Sequence, residues 1–263
     1  MNAYFFAAIA IFAYLSSAIL IFRPLALAKK RIALGCAWSA SVLHTLYISL
    51  VIQQNVGFNF SLFSMASLVS LIVALLLLLA TLNKPVENLG IFIFPVTALM
   101  LSLELCFPEK QRSLESHSWQ MHTHILSSII AFSLLNIAAM QAILLVIQNQ
   151  QLKSHPPKRY IQSMPPLQSM ESLLFQMIGA GVFFLSISLG SGFIFLEDIF
   201  AQHLAHKTIF SIAAWLIFTG LLIGRLRCGW RGRTAIKWTL LGFLFLLLAY
   251  FGSKLVLELI LHR

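Results

Sequence analysis

Apolar runs separated by short polar stretches cover the whole chain. Each run is close to the ~20 residues a helix needs to cross a bilayer. They predict eight transmembrane helices, at Ala3–Phe22, Ile32–Ile52, Leu62–Leu82, Leu89–Phe107, Met121–Ile147, Leu173–Leu196, Thr208–Ile223 and Ala235–Ile260. The expected fold class is therefore all-α: a polytopic membrane bundle forming one domain over residues 1–263. Pro95 lies inside the fourth run and predicts a kink, because proline removes a backbone donor and crowds the preceding turn. The first run has no charged leader and no small-residue cleavage site, so it reads as a retained helix and not a signal peptide.

Composition agrees. The chain is 59% hydrophobic and only 10% charged, whereas soluble domains are about a quarter charged. Its formal net charge is +10. In this chain that charge does not point to nucleic acid, because the basic residues cluster in alternate loops, as the positive-inside rule requires. Arg23, Lys29, Lys30 and Arg31 lie between the first two runs. Lys153, Lys158 and Arg159 lie between the fifth and sixth, and Arg225, Arg227, Arg231 and Arg233 between the last two. All fall on one side if both termini are outside, so the expected topology is N-out and C-out.

Two loops are longer. PEKQRSLESHSW (108–119) is charged and expected to hold a surface helical turn. QNQQLKSHPPKRYIQSMPPLQSMES (148–172) has two Pro-Pro pairs, which favour an extended path. Cys36, Cys106 and Cys228 are isolated, so neither a disulfide framework nor thiol-redox chemistry is expected. Gly179, Gly181, Gly190 and Gly192 in the sixth run fit helix–helix contacts.

Ionisable residues inside membrane helices are costly and therefore informative. On the expected topology His44, Glu104, His124, Glu197, Asp198, His206, Lys254 and Glu258 all lie in the outer half, so a polar site should open outward. Helical phase, at about 100° per residue, separates them further. His124 shares a face with Ser127, Ser128, Ala131, Ala138, Ala139 and Ala142, a small-residue stripe suited to packing. His122 lies about 160° away, with Ile129, Ile137, Leu144 and Ile147, an expected lipid face that would set it beside Trp119 at the interface. Ala33, Ala37, Ala40 and Ser41 turn His44 inward, and Ala213, Gly220 and Gly224 do the same for His206. His44, His124 and His206 are thus expected to face one outer cavity, where imidazoles from facing helices can clamp one iron. No zinc-type spacing is present. The plainer account of an inward histidine is a hydrogen bond to a neighbouring backbone or serine. His117, His155 and His203 read as solvated, His262 as terminal, and Lys254 and Glu258 as an i, i+4 ion pair. Glu104 reads as a proton or cation site, or as a residue that snorkels to the nearby helix end.

Four stretches resemble the CcsA/CcmC/HemX-type cytochrome c assembly membrane proteins and, among them, the inner-membrane YpjD subgroup. They are HILSSIIAFSLLNIAAMQAILL (124–145), MPPLQSMESLLF (164–175), SGFIF with HKTIFSIAAWLIFTGLLIGR (206–225), and GWRGRTAIKWTLLGFLFLLLAYFGSKLV (229–256). The similar region is 119–256, with weaker similarity around His44. The resemblance implies a multi-pass protein of the bacterial inner membrane that handles haem (haem b) at its outer face and is not an enzyme. His124 matches the first outer histidine, Phe132 the aromatic eight residues on, and Lys207 and Trp215 the Lys and Trp that follow the family's tryptophan shelf. His262 is one position out of register with the second outer histidine. The shelf itself is missing, since no tryptophan lies between Gly192 and Trp215, and Gly224 stands where many members have a histidine. The expectation is thus haem bound within the bundle, with His124 and His44 as axial ligands and His206 or Lys207 flanking. Two other readings stand beside it. One is an accessory subunit for divalent cation transport, with the outer His/Glu cluster as the cation or proton site. The other is a membrane protein's structural partner whose histidines are only hydrogen-bonded. Besides lipid, the expected partners are haem and another membrane protein.

Overall fold

The computed structural model describes residues 3–22, 27–54, 61–107, 119–153, 166–195 and 205–252. Among them there is no strand. The helices are α1 (Ala3–Phe22), α2 (Leu27–Gln54), α3 (Leu62–Asn83), α4 (Gly90–Cys106), α5 (Trp119–Lys153), α6 (Leu167–Phe195), α7 (Ala205–Cys228) and α8 (Arg233–Leu247). A short 3-10 turn, Glu87–Leu89, leads into α4, and a π turn, Leu248–Gly252, continues α8. All eight helical segments are long and apolar enough to cross a membrane. The chain is an all-α membrane protein. Pro95 sits in α4 without ending it.

Two helix ends differ from expectation for one reason. QNQQLK continues α5 to Lys153 because nothing in it breaks a helix, and α6 starts directly after Pro165-Pro166. The Pro166 carbonyl accepts from the amides of Ser169 and Met170, closing the first turn of α6. The surface turn expected in 108–119 falls almost wholly outside the described residues. So do His117, His155, Glu197, Asp198, His203, Lys254, Glu258 and His262, and the side chains of Trp119, His122 and His206.

The helices form two compact units, α1–α4 and α5–α8. In unit 1, α1 packs on α2 and α4, and α3 on α4. Ala33, Ala37 and Ala40 are fully buried, as the phase of α2 predicts, and let α1 approach closely. In unit 2, α5 packs on both α6 and α8. This overturns one expectation: Ile129, Ile137 and Leu144 do not face lipid but are buried, at 5%, 1% and 2% exposure. A helix apolar all round is a central helix, and α5 has neighbours on more than one side. On α7 Ala214, Phe218 and Leu221 are fully buried; of the expected face Gly224 is buried too, while Ala213 and Gly220 are partly exposed. Of the α6 glycines, Gly181 lies against Leu135 of α5, while Gly179 and Gly190 border open space.

Many hydroxyls satisfy themselves on their own helix. Ser16, Ser41, Thr45, Thr97, Ser102, Ser128, Ser186 and Thr239 each donate to the carbonyl four residues back. In a medium without water this is the cheapest partner a hydroxyl has.

Candidate functional site

Each unit carries an ion pair toward one end and an imidazole–hydroxyl cluster toward the other. In unit 1, Lys30 at the start of α2 meets Glu87 at 2.6 Å. In unit 2, Arg225 of α7 meets Glu171 of α6 at 3.1 Å, donates to the Trp230 carbonyl, and lies 4.7 Å from the centre of the Phe175 ring. The same turn carries Gly229 and Gly232 at φ +65° and +53°, a backbone that only glycine adopts cheaply. The Trp230 indole lies on Gly224, where any added Cβ would run into the ring, and it stacks on Trp238 at 5.5 Å. A histidine at Gly224 would displace that indole.

At the other end of unit 2, His124 in the first turns of α5 reaches α6. Its Nδ1 lies 2.9 Å from the Ser188 carbonyl and 3.3 Å from Ser191 Oγ. A carbonyl only accepts, so Nδ1 carries the proton. Ser191 spends its own hydrogen on that same carbonyl, which agrees. Nε2 of a neutral ring is then left with its lone pair. This is the arrangement that orients metal-binding histidines, a backbone carbonyl fixing the far nitrogen. The ring is half-buried, not enclosed. Ser128 bonds to Ser188, so a second hydroxyl contact joins α5 and α6 beside His124. Phe132 is 1% exposed beneath it, packed against Phe243, Tyr250 and Phe251. It belongs to the core and offers no ring face to a ligand.

The structure does not bring Trp215 to His124. Its indole donates to Ser186 at 2.8 Å. Ser186 and Ser188 are two positions apart on α6, about 200° around the helix, so the two side chains use nearly opposite faces. Lys207 is half-buried and engaged in a contact of its own.

In unit 1, His44 is fully buried, with Nε2 3.0 Å from Ser67 Oγ of α3 and the Tyr14 ring edge-on at 6.1 Å. Its Nδ1 has no partner. Oε2 of Glu104 on α4 is buried and likewise has no hydrogen-bond partner. Ser67, Ser188 and Ser191 were not marked as site residues by the sequence. The i, i+3 spacing of the serines on α6 is the signal that pairs them, since it sets both on one face.

Among the described residues no group of three or more His, Cys, Asp or Glu side chains comes together to hold a metal ion.

The family model described as cytochrome c assembly protein matches residues 32–261, extending the similarity through His44. Inner membrane protein YpjD of Escherichia coli strain K12 is 32% identical over 234 residues, 88% of each chain. An uncharacterized 28.8 kDa protein of Azospirillum brasilense is 33% identical over 140 residues, 52% of each. The cytochrome c biogenesis protein CcsA of Chlamydomonas reinhardtii is 28% identical over 148 residues, 56% of this chain and 40% of that one. No solved structure matches.

Proposed function

From the chain's membership of the cytochrome c assembly protein family, we propose that it is a haem-handling protein of the bacterial inner membrane, with a binding and not a catalytic role. In this reading both termini face outward and His124 is an iron ligand. The observation that carries it is the orientation of His124: Nδ1–H donates to the Ser188 carbonyl, which leaves the Nε2 lone pair as the donor a haem iron needs. His206 and Lys207 open α7, which follows the C-terminal end of α6, and would flank the group. Bound haem b would supply a redox-active or transferable iron porphyrin. The protein's own part is to hold the imidazole still and to keep water out with the Phe132–Phe243–Tyr250 packing. His44 is left out of this reading, because its ring is closed in by α1 and α3 of its own unit.

The test is the visible spectrum of detergent-purified protein with and without added haem. An imidazole-ligated Soret band lost in His124→Ala is the expected result. No haem uptake by protein whose helical circular dichroism is intact would sink the reading. The topology has its own test: a reporter fused after Arg233 should be cytoplasmic, and an external reporter would place the cluster on the other side.

A further inference from the structure

The turn between α7 and α8 presents cations that no neighbouring carboxylate neutralises. Arg227 lies in the last turn of α7, Arg231 in the connection, and Arg233 and Lys237 in the first turns of α8. All four are exposed, and among the described residues none of them is in an ion pair. The Glu171 carboxylate of α6 is engaged elsewhere: its Oε1 accepts from Arg225 at 3.1 Å and from the Gly232 amide at 3.4 Å.

The positive-inside rule accounts for the number of these cations, not for a turn built to hold them. The Trp230 amide donates to the Gly224 carbonyl, and the Trp230 ring stacks on Trp238. Gly229 and Gly232 supply the positive φ that other residues adopt only under strain. The cations are thus carried on a braced backbone and not on a loose loop.

An apolar track leads away from the turn along α8. At about 100° per residue, Arg233, Lys237, Leu241, Leu244 and Leu248 fall within about 80° of one another. The two cations and the three leucines are all exposed. The opposite face is the one that packs, with Ala235, Thr239, Gly242 and Leu246 buried. From Lys237 to Leu248 the helix rises about 16 Å, close to one leaflet's half of the ~30 Å hydrocarbon core. On α7 the exposed Ile223 and Leu226 precede Arg227 in the same way.

Cations at one end, and exposed apolar side chains for the depth of one leaflet below them, match the phosphate and acyl chain of a phospholipid. We propose that the α7–α8 turn binds one anionic phospholipid, its phosphate held by Arg231, Arg233 and Lys237 and its acyl chain laid along α8. A soluble phosphate makes no use of the leucine track. A zwitterionic lipid carries a cation of its own, which the cluster repels. The site is independent of haem, of His124 and of which leaflet the turn faces.

Native mass spectrometry of the full chain, released from detergent micelles, tests this with phosphatidylglycerol and phosphatidylcholine of the same acyl chains. Phosphatidylglycerol should bind about tenfold tighter or more, as a first, saturable equivalent. Arg233→Gln with Lys237→Gln should lower its affinity about ten- to thirtyfold. Lys29→Gln with Arg31→Gln removes the same charge from the connection between α1 and α2 and should leave the affinity unchanged. Gly232→Ala keeps every charge, and its Cβ meets nothing within 4 Å, so it alters only the backbone; it should weaken binding as well. Helical circular dichroism checks the fold of each variant. The site is overturned if the two lipids bind equally, if the α1–α2 pair of substitutions costs as much as the α8 pair, or if Gly232→Ala binds like the wild type. Displacement of the lipid by glycerol 1-phosphate would also overturn it, since the site would then be one for a soluble anion.

Discussion

His44 in unit 1 is fully buried and held by a side chain, the Ser67 hydroxyl; His124 in unit 2 is half-buried and held by the main chain, the Ser188 carbonyl. The partner decides what each imidazole is able to do. A carbonyl accepts only, so it fixes one tautomer and leaves the other nitrogen as a permanent donor to a ligand. A hydroxyl accepts or donates, so it leaves the tautomer free to follow a neighbouring charge. The ion pairs differ between the units as well. Lys30 is 37% exposed beside Glu87 at 16%, whereas Arg225 and Glu171 are 26% and 18% exposed, with a second acceptor and an aromatic ring around the guanidinium.

Substitutions can break or sharpen this contrast, each read as unfolding in mixed micelles by circular dichroism. Phe132→Ala should do most, destabilising by about 3–5 kcal/mol, because it empties the ring cluster beneath His124. A value near zero would mean that α5 is not the centre of unit 2. His44→Ala should cost about 2–3 kcal/mol, since it opens a cavity and strands Ser67, and His124→Ala about 1 kcal/mol, since its ring is partly open already. Equal losses would erase the distinction between an enclosed and an accessible imidazole. Glu171→Gln should cost about 2 kcal/mol, below a fully buried pair but enough to loosen the α7–α8 turn. Smallest is Glu87→Gln, at or below about 1 kcal/mol because Lys30 is well solvated. A larger loss there than at Glu171 would reverse the ranking of the two pairs.

The sequence made the spans and the inward turn of His44 legible, because length and small residues act locally. Ala33, Ala37 and Ala40 mark the packed face of α2 wherever its neighbours lie. It did not make the environment of α5 legible. Ile129, Ile137 and Leu144 are as suited to lipid as to a protein core, and only the number of neighbouring helices separates the two. Which serine meets which histidine was equally hidden, since Ser67 and Ser188 are chosen by how far one helix slides along the next. Gly224 read as a missing histidine, whereas its smallness serves Trp230, six residues away and around a turn. The family match was legible from the last four helices, and it now covers the chain from residue 32.

The back-bonded hydroxyls carry a consequence for the order of assembly. A helix whose serines and threonines already donate to their own carbonyls enters a bilayer with those groups satisfied, before it has met any partner. His44 has no such local refuge. Its helix carries that burden on entry and sheds part of it only when α2 and α3 come together, so this one contact ties the completion of insertion in unit 1 to the arrival of α3.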